Sequence, residues 1–230
     1  MEEYSLILLS GGIGTRMKRP VPKQFLLVGG KPIIVHVLEK IDGIDEIKEI
    51  IIPSPPQYIE KTLEIIKSFR VLTPVYCIEG GRTRQESVYK ALQEVSHADV
   101  IIHEAVRPFV TREEFLQLMN FPSEAAIYGT DIPFTVLEGV KFVEKNLNRN
   151  RLVNVQLPQK FKTEKLKIAH EYARQNNLHY TEDASLYFDY FQSNIDILQG
   201  SDYNIKITKP IDLLISEIIY KEYILAGSHQ

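Results

Sequence analysis

The chain has a single cysteine, Cys77, so it can form no disulfide within itself and offers no cysteine cluster to a metal. It lacks any run of about 18 apolar residues, the length that a membrane-spanning helix needs. Its opening Met1-Glu-Glu-Tyr-Ser5 is acidic ahead of a short apolar stretch, the wrong polarity for a signal peptide. An excess of positive charge is missing too. The 27 basic residues face 30 acidic ones for a formal net charge of -3, which excludes a broad basic surface for nucleic acid. Repeats, low-complexity stretches and Gly/Ser-rich linkers are absent, so residues 1–230 read as one domain. What is present is 44% apolar and 25% charged, enough for a sizeable core. Composition therefore predicts a soluble, cytoplasmic, globular protein with no membrane or nucleic-acid partner, and says nothing of its chemistry.

Short apolar runs alternate with longer amphipathic stretches. Tyr4–Leu9, Ile47–Ile52, Val75–Ile78, Asp99–His103 and Ala125–Tyr128 read as buried strands. Between them, 32–41, 56–69, 83–95 and 111–119 carry helical spacing. Pro32 and Pro56 suit a first helical turn, and Thr111 with Glu114 has capping-box spacing. The alternation predicts an α/β fold, a mainly parallel sheet flanked by helices on both faces. After about Thr130 the pattern changes. Strands are expected over 135–143 and 151–155 around a polar turn, Asn146-Leu-Asn-Arg-Asn150, as a projecting β-hairpin. Helices return over 162–175, over 182–191 and from Pro210.

The most informative stretch is Leu8-Leu-Ser-Gly-Gly-Ile-Gly-Thr-Arg-Met17, followed by Pro22-Lys-Gln-Phe25. A strand runs into three glycines, then an arginine, then a lysine. Glycines let backbone N–H groups close around phosphate oxygens, and the two cations neutralise their charge. Two common phosphate motifs fail here. Met17 stands where a dinucleotide fingerprint needs a small residue, and Lys31 is followed by Pro32 where a P-loop needs Ser or Thr.

This stretch resembles the signature of the cytidylyltransferases acting on 2-C-methyl-D-erythritol 4-phosphate or on ribitol 5-phosphate. Gly80-Gly-Arg-Thr-Arg-Gln-Glu-Ser-Val88, Ile102-His-Glu-Ala-Val-Arg-Pro-Phe109, Leu157-Pro-Gln-Lys-Phe161, Thr181-Glu-Asp-Ala-Ser185 and 204–213 follow in the family's order. The resemblance implies a Rossmann-like nucleotidyltransferase fold and transfer of CMP from CTP to a phosphorylated alcohol with release of pyrophosphate. It implies Arg16, Lys23 and Lys206 as the catalytic cations. Ser10, Gly11, Gly12, Gly14, Gly80, Arg84, Ser87 and Ala105 would bind CTP, and Glu104, where the family has Asp, would hold Mg²⁺ directly or through water. Arg149 would grip the acceptor phosphate, with Arg151 as its competitor, and Thr135, Arg107 and Thr181 would complete the acceptor side. His103 reads as a packed strand-end residue rather than a ligand. The family's hairpin, here 133–157, implies a homodimer with shared sites.

Three further positions depart from the pattern on the acceptor side. Val136 and Leu137 replace an Asp-Thr pair, and Leu157 replaces a Thr, which takes polar groups from the acceptor side. CTP use is thus expected to be retained, with the acceptor left open between methylerythritol phosphate, ribitol phosphate and another phosphorylated alcohol. A sugar-1-phosphate nucleotidyltransferase and an inactive nucleotide-binding subunit are the competing readings.

Overall fold

In a computed structural model, which describes residues 2–12 and 21–225, all six side chains of β1 (Tyr4–Leu9) are buried, as a strand covered on both faces requires. Tyr4, Leu6 and Leu8 point into one apolar cluster with α1 (Ile33–Ile41), α2 (Ile59–Ser68) and α4 (Arg112–Asn120). Ile7 and Leu9 point into a second cluster with α3 (Arg84–Glu94), α5 (Thr163–Gln175) and α6 (Asp183–Phe191). A third cluster joins the short hairpin β2 (Leu27–Val28) and β3 (Lys31–Pro32) to Phe109, Ile207 and α7 (Pro210–Ile219).

The remaining strands are β4 (Ile47–Ser54), β5 (Val75–Glu79), β6 (Asp99–Glu104), β7 (Ala125–Thr130), β8 (Val136–Glu138), β9 (Lys145–Leu147), β10 (Asn154–Lys162) and β11 (Asp196–Gln199). Seven of the described strands form one sheet in the order β11-β7-β10-β6-β1-β4-β5. Pairing is parallel except for β10, which runs antiparallel to β6 and β7. The chain leaves β1 towards β4 and β5, then returns to place β6 on β1's other side. That reversal opens a crevice at the carboxyl ends of β1 and β6, where open α/β sheets bind ligands. Leu9 and Glu104 stand opposite each other at those ends.

The expected strands and helices are present, with shifted ends. Thr111 and Glu114 form the capping box, but Pro32 is the N-cap residue of α1, and Pro56 opens a 3₁₀ turn ahead of α2. The hairpin differs more. Val136–Glu138 pairs with Lys145–Leu147, and Gly139, at φ 141, turns the chain there instead of at 146–150. A left-handed φ favours glycine, which is why the turn settles at 139. Arg149–Arg151 is a 3₁₀ turn, and 154–162 leaves the hairpin to join the main sheet as β10. β11 was not expected, and the segment holding Lys206 is irregular.

Candidate active site

One cleft of about 220 Å³ lies at the crevice between β1 and β6. Ser10, Gly11 and Gly12 form one lip, where β1 ends and Ser10 N–H donates to Pro53 O. Gln24 holds this loop from below, its Nε2 donating to Ser10 O at 2.9 Å. The Ser10 hydroxyl is buried in the cleft and, among the described residues, has no hydrogen-bond partner. Lys23 is buried in the 3₁₀ turn Lys23–Phe25, and its Cε lies where a Cβ on Gly12 would come within 2.9 Å. Gly12→Ala is therefore expected to displace the Lys23 side chain. Turnover should fall at least about tenfold with the melting temperature unchanged, as steady-state kinetics and thermal melts would show.

The opposite lip is the turn into α3. The Thr83 side chain caps the helix by accepting from Glu86 N–H at 3.0 Å. Ser87 Oγ accepts from Gly81 N–H at 3.0 Å and donates to Thr83 O at 2.9 Å, folding 81–87 into a rigid wall. A Cβ on Gly81 would strike the Glu86 side chain and backbone, so only glycine fits. Gly80 and Ala105 stand behind the wall, with Gly80 N–H donating to Ser54 O and Ala105 N–H to Leu9 O.

Glu104, at the end of β6, is the one carboxylate among the described residues lining the cleft, against the cations Lys23, Arg82, Arg84 and Lys206. Lys206 Nζ donates to Glu104 Oε1 at 2.8 Å, Arg107 Nε to Oε2 at 3.4 Å, and Arg84 Nε lies 3.6 Å from Oε1. Burial pushes the Glu104 carboxyl up, but Lys206, Arg107 and Arg84 outweigh it and hold its pKa at about 2. His103, beside it, is fully buried. Loss of water around the ring lowers its pKa to about 3, which suits a packed residue.

Lys206 reaches Glu104 from an irregular segment tied at several points. Asn204 Nδ2 donates to Leu157 O, Arg107 Nη1 donates to Asn204 O, and Ile207 N–H donates to Val106 O. Asp212 Oδ2 then accepts from the backbone of Thr208 and Lys209, both at 2.7 Å, as α7 begins.

The sequence matches the family model of 2-C-methyl-D-erythritol 4-phosphate cytidylyltransferase (IspD) over residues 4–222. The chain belongs to that family. It is accordingly a nucleotidyltransferase, a cytidylyltransferase by reaction type. The enzyme of that name from Halalkalibacterium halodurans is 35% identical over 225 residues, spanning 96% of this chain and 98% of its own. The one from Bacillus mycoides is 37% identical over 221 residues, 93% and 96% of the two chains. Among solved structures, the 4-diphosphocytidyl-2C-methyl-D-erythritol synthase of Anaerococcus prevotii superposes with a TM-score of 0.85 at 25% identity, covering 96% of this chain and 97% of that one. The Thermus thermophilus cytidylyltransferase gives 0.77 at 28%, covering 96% and 100%.

Of the cytidylyltransferase positions named from sequence, Ser10, Gly11, Gly12, Lys23, Arg84, Ser87, Glu104 and Lys206 line the cleft. Gly14 and Arg16 lie outside the described residues. Arg107 does not line the cleft. It braces Glu104 through Nε and Asn204 through Nη1. Thr181 is exposed at the approach to α6, beside Glu182, whose carboxylate meets Arg84. Arg149 lies apart from the cleft, lining a separate cavity of about 330 Å³ with Asp131, Ile132, Pro133 and Asn150, and its Nη1 donates to Pro133 O at 2.6 Å. Thr135 is exposed just ahead of β8. The Leu157 side chain is buried in the second apolar cluster, and its carbonyl accepts from Asn204 Nδ2.

Sequence reasoning missed Gln24, Glu182, Asp183 and His170. The first three sat inside quoted motifs without a role, and His170 carried no signal.

Proposed function

We propose that the chain transfers CMP from CTP to 2-C-methyl-D-erythritol 4-phosphate. One observation carries this reading: a glycine lip, four cations and one ionised carboxylate converge at the switch point of the sheet. The acceptor assignment is supported by the names of the relatives, which span nearly the whole chain.

An acceptor phosphate oxygen attacks the α-phosphorus of CTP in line. A new P–O bond forms, the bond to the β-phosphate oxygen breaks, and pyrophosphate leaves with that electron pair. No covalent enzyme intermediate is needed, so the protein's task is positioning and neutralisation of charge. The backbone of 10–12 cradles the triphosphate, and Lys23 and Lys206 face the reacting phosphates; the family resemblance assigns Gly14 and Arg16 to the same tasks. Ser87, Gly80 and Ala105 shape the nucleoside wall. Among the described residues no group of three or more His, Cys, Asp or Glu side chains could hold a metal by itself. Glu104 is ionised and alone in the cleft, which fits Mg²⁺ held by one carboxylate together with substrate phosphates. The bound ion would supply further neutralisation of the phosphates.

The hairpin supports a homodimer. Phe134, Leu137, Val140, Phe142 and Val143 are exposed on 133–157, with Val140 at 98%. Apolar patches of this kind mark interaction surfaces. Arg149, remote from this chain's own cleft, would meet an acceptor phosphate in its partner's.

Pyrophosphate release with CTP and Mg²⁺ across a panel of acceptors tests the reading. Methylerythritol phosphate is expected to exceed ribitol 5-phosphate in kcat/KM by about tenfold or more, the scale set by hydroxyl recognition. Preference for ribitol 5-phosphate would overturn the acceptor, and preference for UTP or dTTP the cytidylyl donor. Arg149→Ala should raise KM for the acceptor and leave KM for CTP unchanged.

A further inference from the structure

Arg84 enters the cleft wall from the first turn of α3, and its guanidinium faces three acids. Nη1 lies 2.6 Å from Asp183 Oδ2, Nη2 lies 3.4 Å from Glu182 Oε1, and Nε lies 3.6 Å from Glu104 Oε1. Asp183 is 2% exposed and is itself held from the far side. His170 Nε2, on α5, donates to its Oδ1 at 2.9 Å. Burial raises the Asp183 carboxyl, but Arg84 and His170 pull it further down, so it stays charged. A chain of ion pairs therefore runs His170, Asp183, Arg84, Glu104, Lys206, across α5, α6, α3, β6 and the segment before α7.

Arg84 belongs to both halves of the site. It borders Glu104 on the triphosphate side and Glu182, next to Thr181, on the acceptor side. Three carboxylates compete for one guanidinium, and Asp183 is its nearest partner. The Asp183 carboxylate keeps its orientation only while its other oxygen has a donor, because an unpaired buried oxygen would turn to find one. His170 is that donor.

We infer that His170, which touches no substrate, is a positioning residue for the transferase site: through Asp183 it fixes the Arg84 guanidinium between Glu104 and Glu182. This rests on the cytidylyl-transfer reading. The histidine also lines a second cavity of about 410 Å³ on the far side of α3, with Tyr89, Lys90, Arg174, Leu178 and His179. Its Nδ1 has no partner among the described residues. The imidazole position can thus be reached by a small molecule from outside the active site.

Three variants decide the matter. His170→Leu keeps an apolar body but has no donor. It is expected to raise KM for CTP and lower kcat/KM at least tenfold while the circular dichroism spectrum stays native. His170→Gln can present an amide N–H where Nε2 stood and should remain within about threefold of the original chain. His170→Ala should lose activity and regain it in a saturable manner with added imidazole, which settles the question even where the leucine variant fails to fold. A merely structural role would lower kcat through loss of folded enzyme, leave KM unchanged, impair leucine and glutamine alike, and give no rescue; that pattern overturns the inference. So does a leucine variant matching the original chain. If the original chain transfers CMP to no acceptor, the cytidylyl-transfer reading falls first.

Discussion

Lys206→Ala is expected to lower kcat by roughly 10²- to 10³-fold, the cost typical of removing one preorganised donor from a developing charge. Stability should change little, because Lys206 is more than a third exposed and its ammonium can be hydrated when unpaired. The effect should fall on the chemical step. Nζ donates to Glu104 Oε1, the carboxylate proposed to border the triphosphate. Incoming phosphates offer that ammonium more negative charge than one carboxylate does. Single-turnover measurements at saturating CTP and acceptor would check this. A variant that slows only CTP binding would remove Lys206 from the reacting centre.

Glu104→Ala should give the largest combined loss. The carboxylate is the point where Arg84, Arg107 and Lys206 meet, so its removal leaves buried guanidinium groups without their common partner. Breaking a buried ion pair on one side costs about 3–5 kcal/mol. The pKa gives a consistent figure: holding a carboxyl at about 2, against 4.5 for the free side chain, corresponds to roughly 3 kcal/mol of stability at neutral pH. The sign follows from the depressed value. This contribution is fully present above the unfolded pKa and is lost as pH falls through the folded one. Between about pH 4.5 and 2 the original chain should therefore lose stability more steeply than the variant, as denaturant titrations at stepped pH would show. Asp183, also held at about 2, adds to the acid loss in both chains. Activity should be absent in the variant, since the cations proposed to face the triphosphate would lose their anchor.

Much of this architecture is legible in the sequence because local chemistry and the fold agree. Tyr4–Leu9 is uniformly apolar apart from Ser5, so its burial on both sheet faces can be read directly. The Thr111 and Glu114 capping box is visible as spacing alone. The glycine lip of the cleft is legible since Gly11, Gly12 and Lys23 lie close together in the chain. The hairpin was misjudged because Asn146 to Asn150 has strong turn composition, while the actual turn depends on one glycine backbone angle at 139. Arg107 shows a different limit. A cation in a motif near phosphates reads as a ligand, and only the fold shows that its Nε and Nη1 donate to Glu104 and Asn204. His170 was invisible, because nothing local distinguishes it from other helix histidines, and its partner Asp183 is brought to it by packing of α5 on α6.

The walls of the cleft come from five separated stretches, at residues 9–12, 23–24, 81–87, 104–106 and 206, and its closing ion pair joins side chains 102 positions apart. No fragment of the chain contains the site. Pairings this distant form late, after the entropy of closing large loops has been met. Nucleotide therefore engages only the completed fold, and its binding free energy is added to the stability of the whole chain through mass action. In a cell supplied with CTP the substrate acts as a ligand of folding as well as of catalysis, and newly made chains are drawn towards the native state by what they consume.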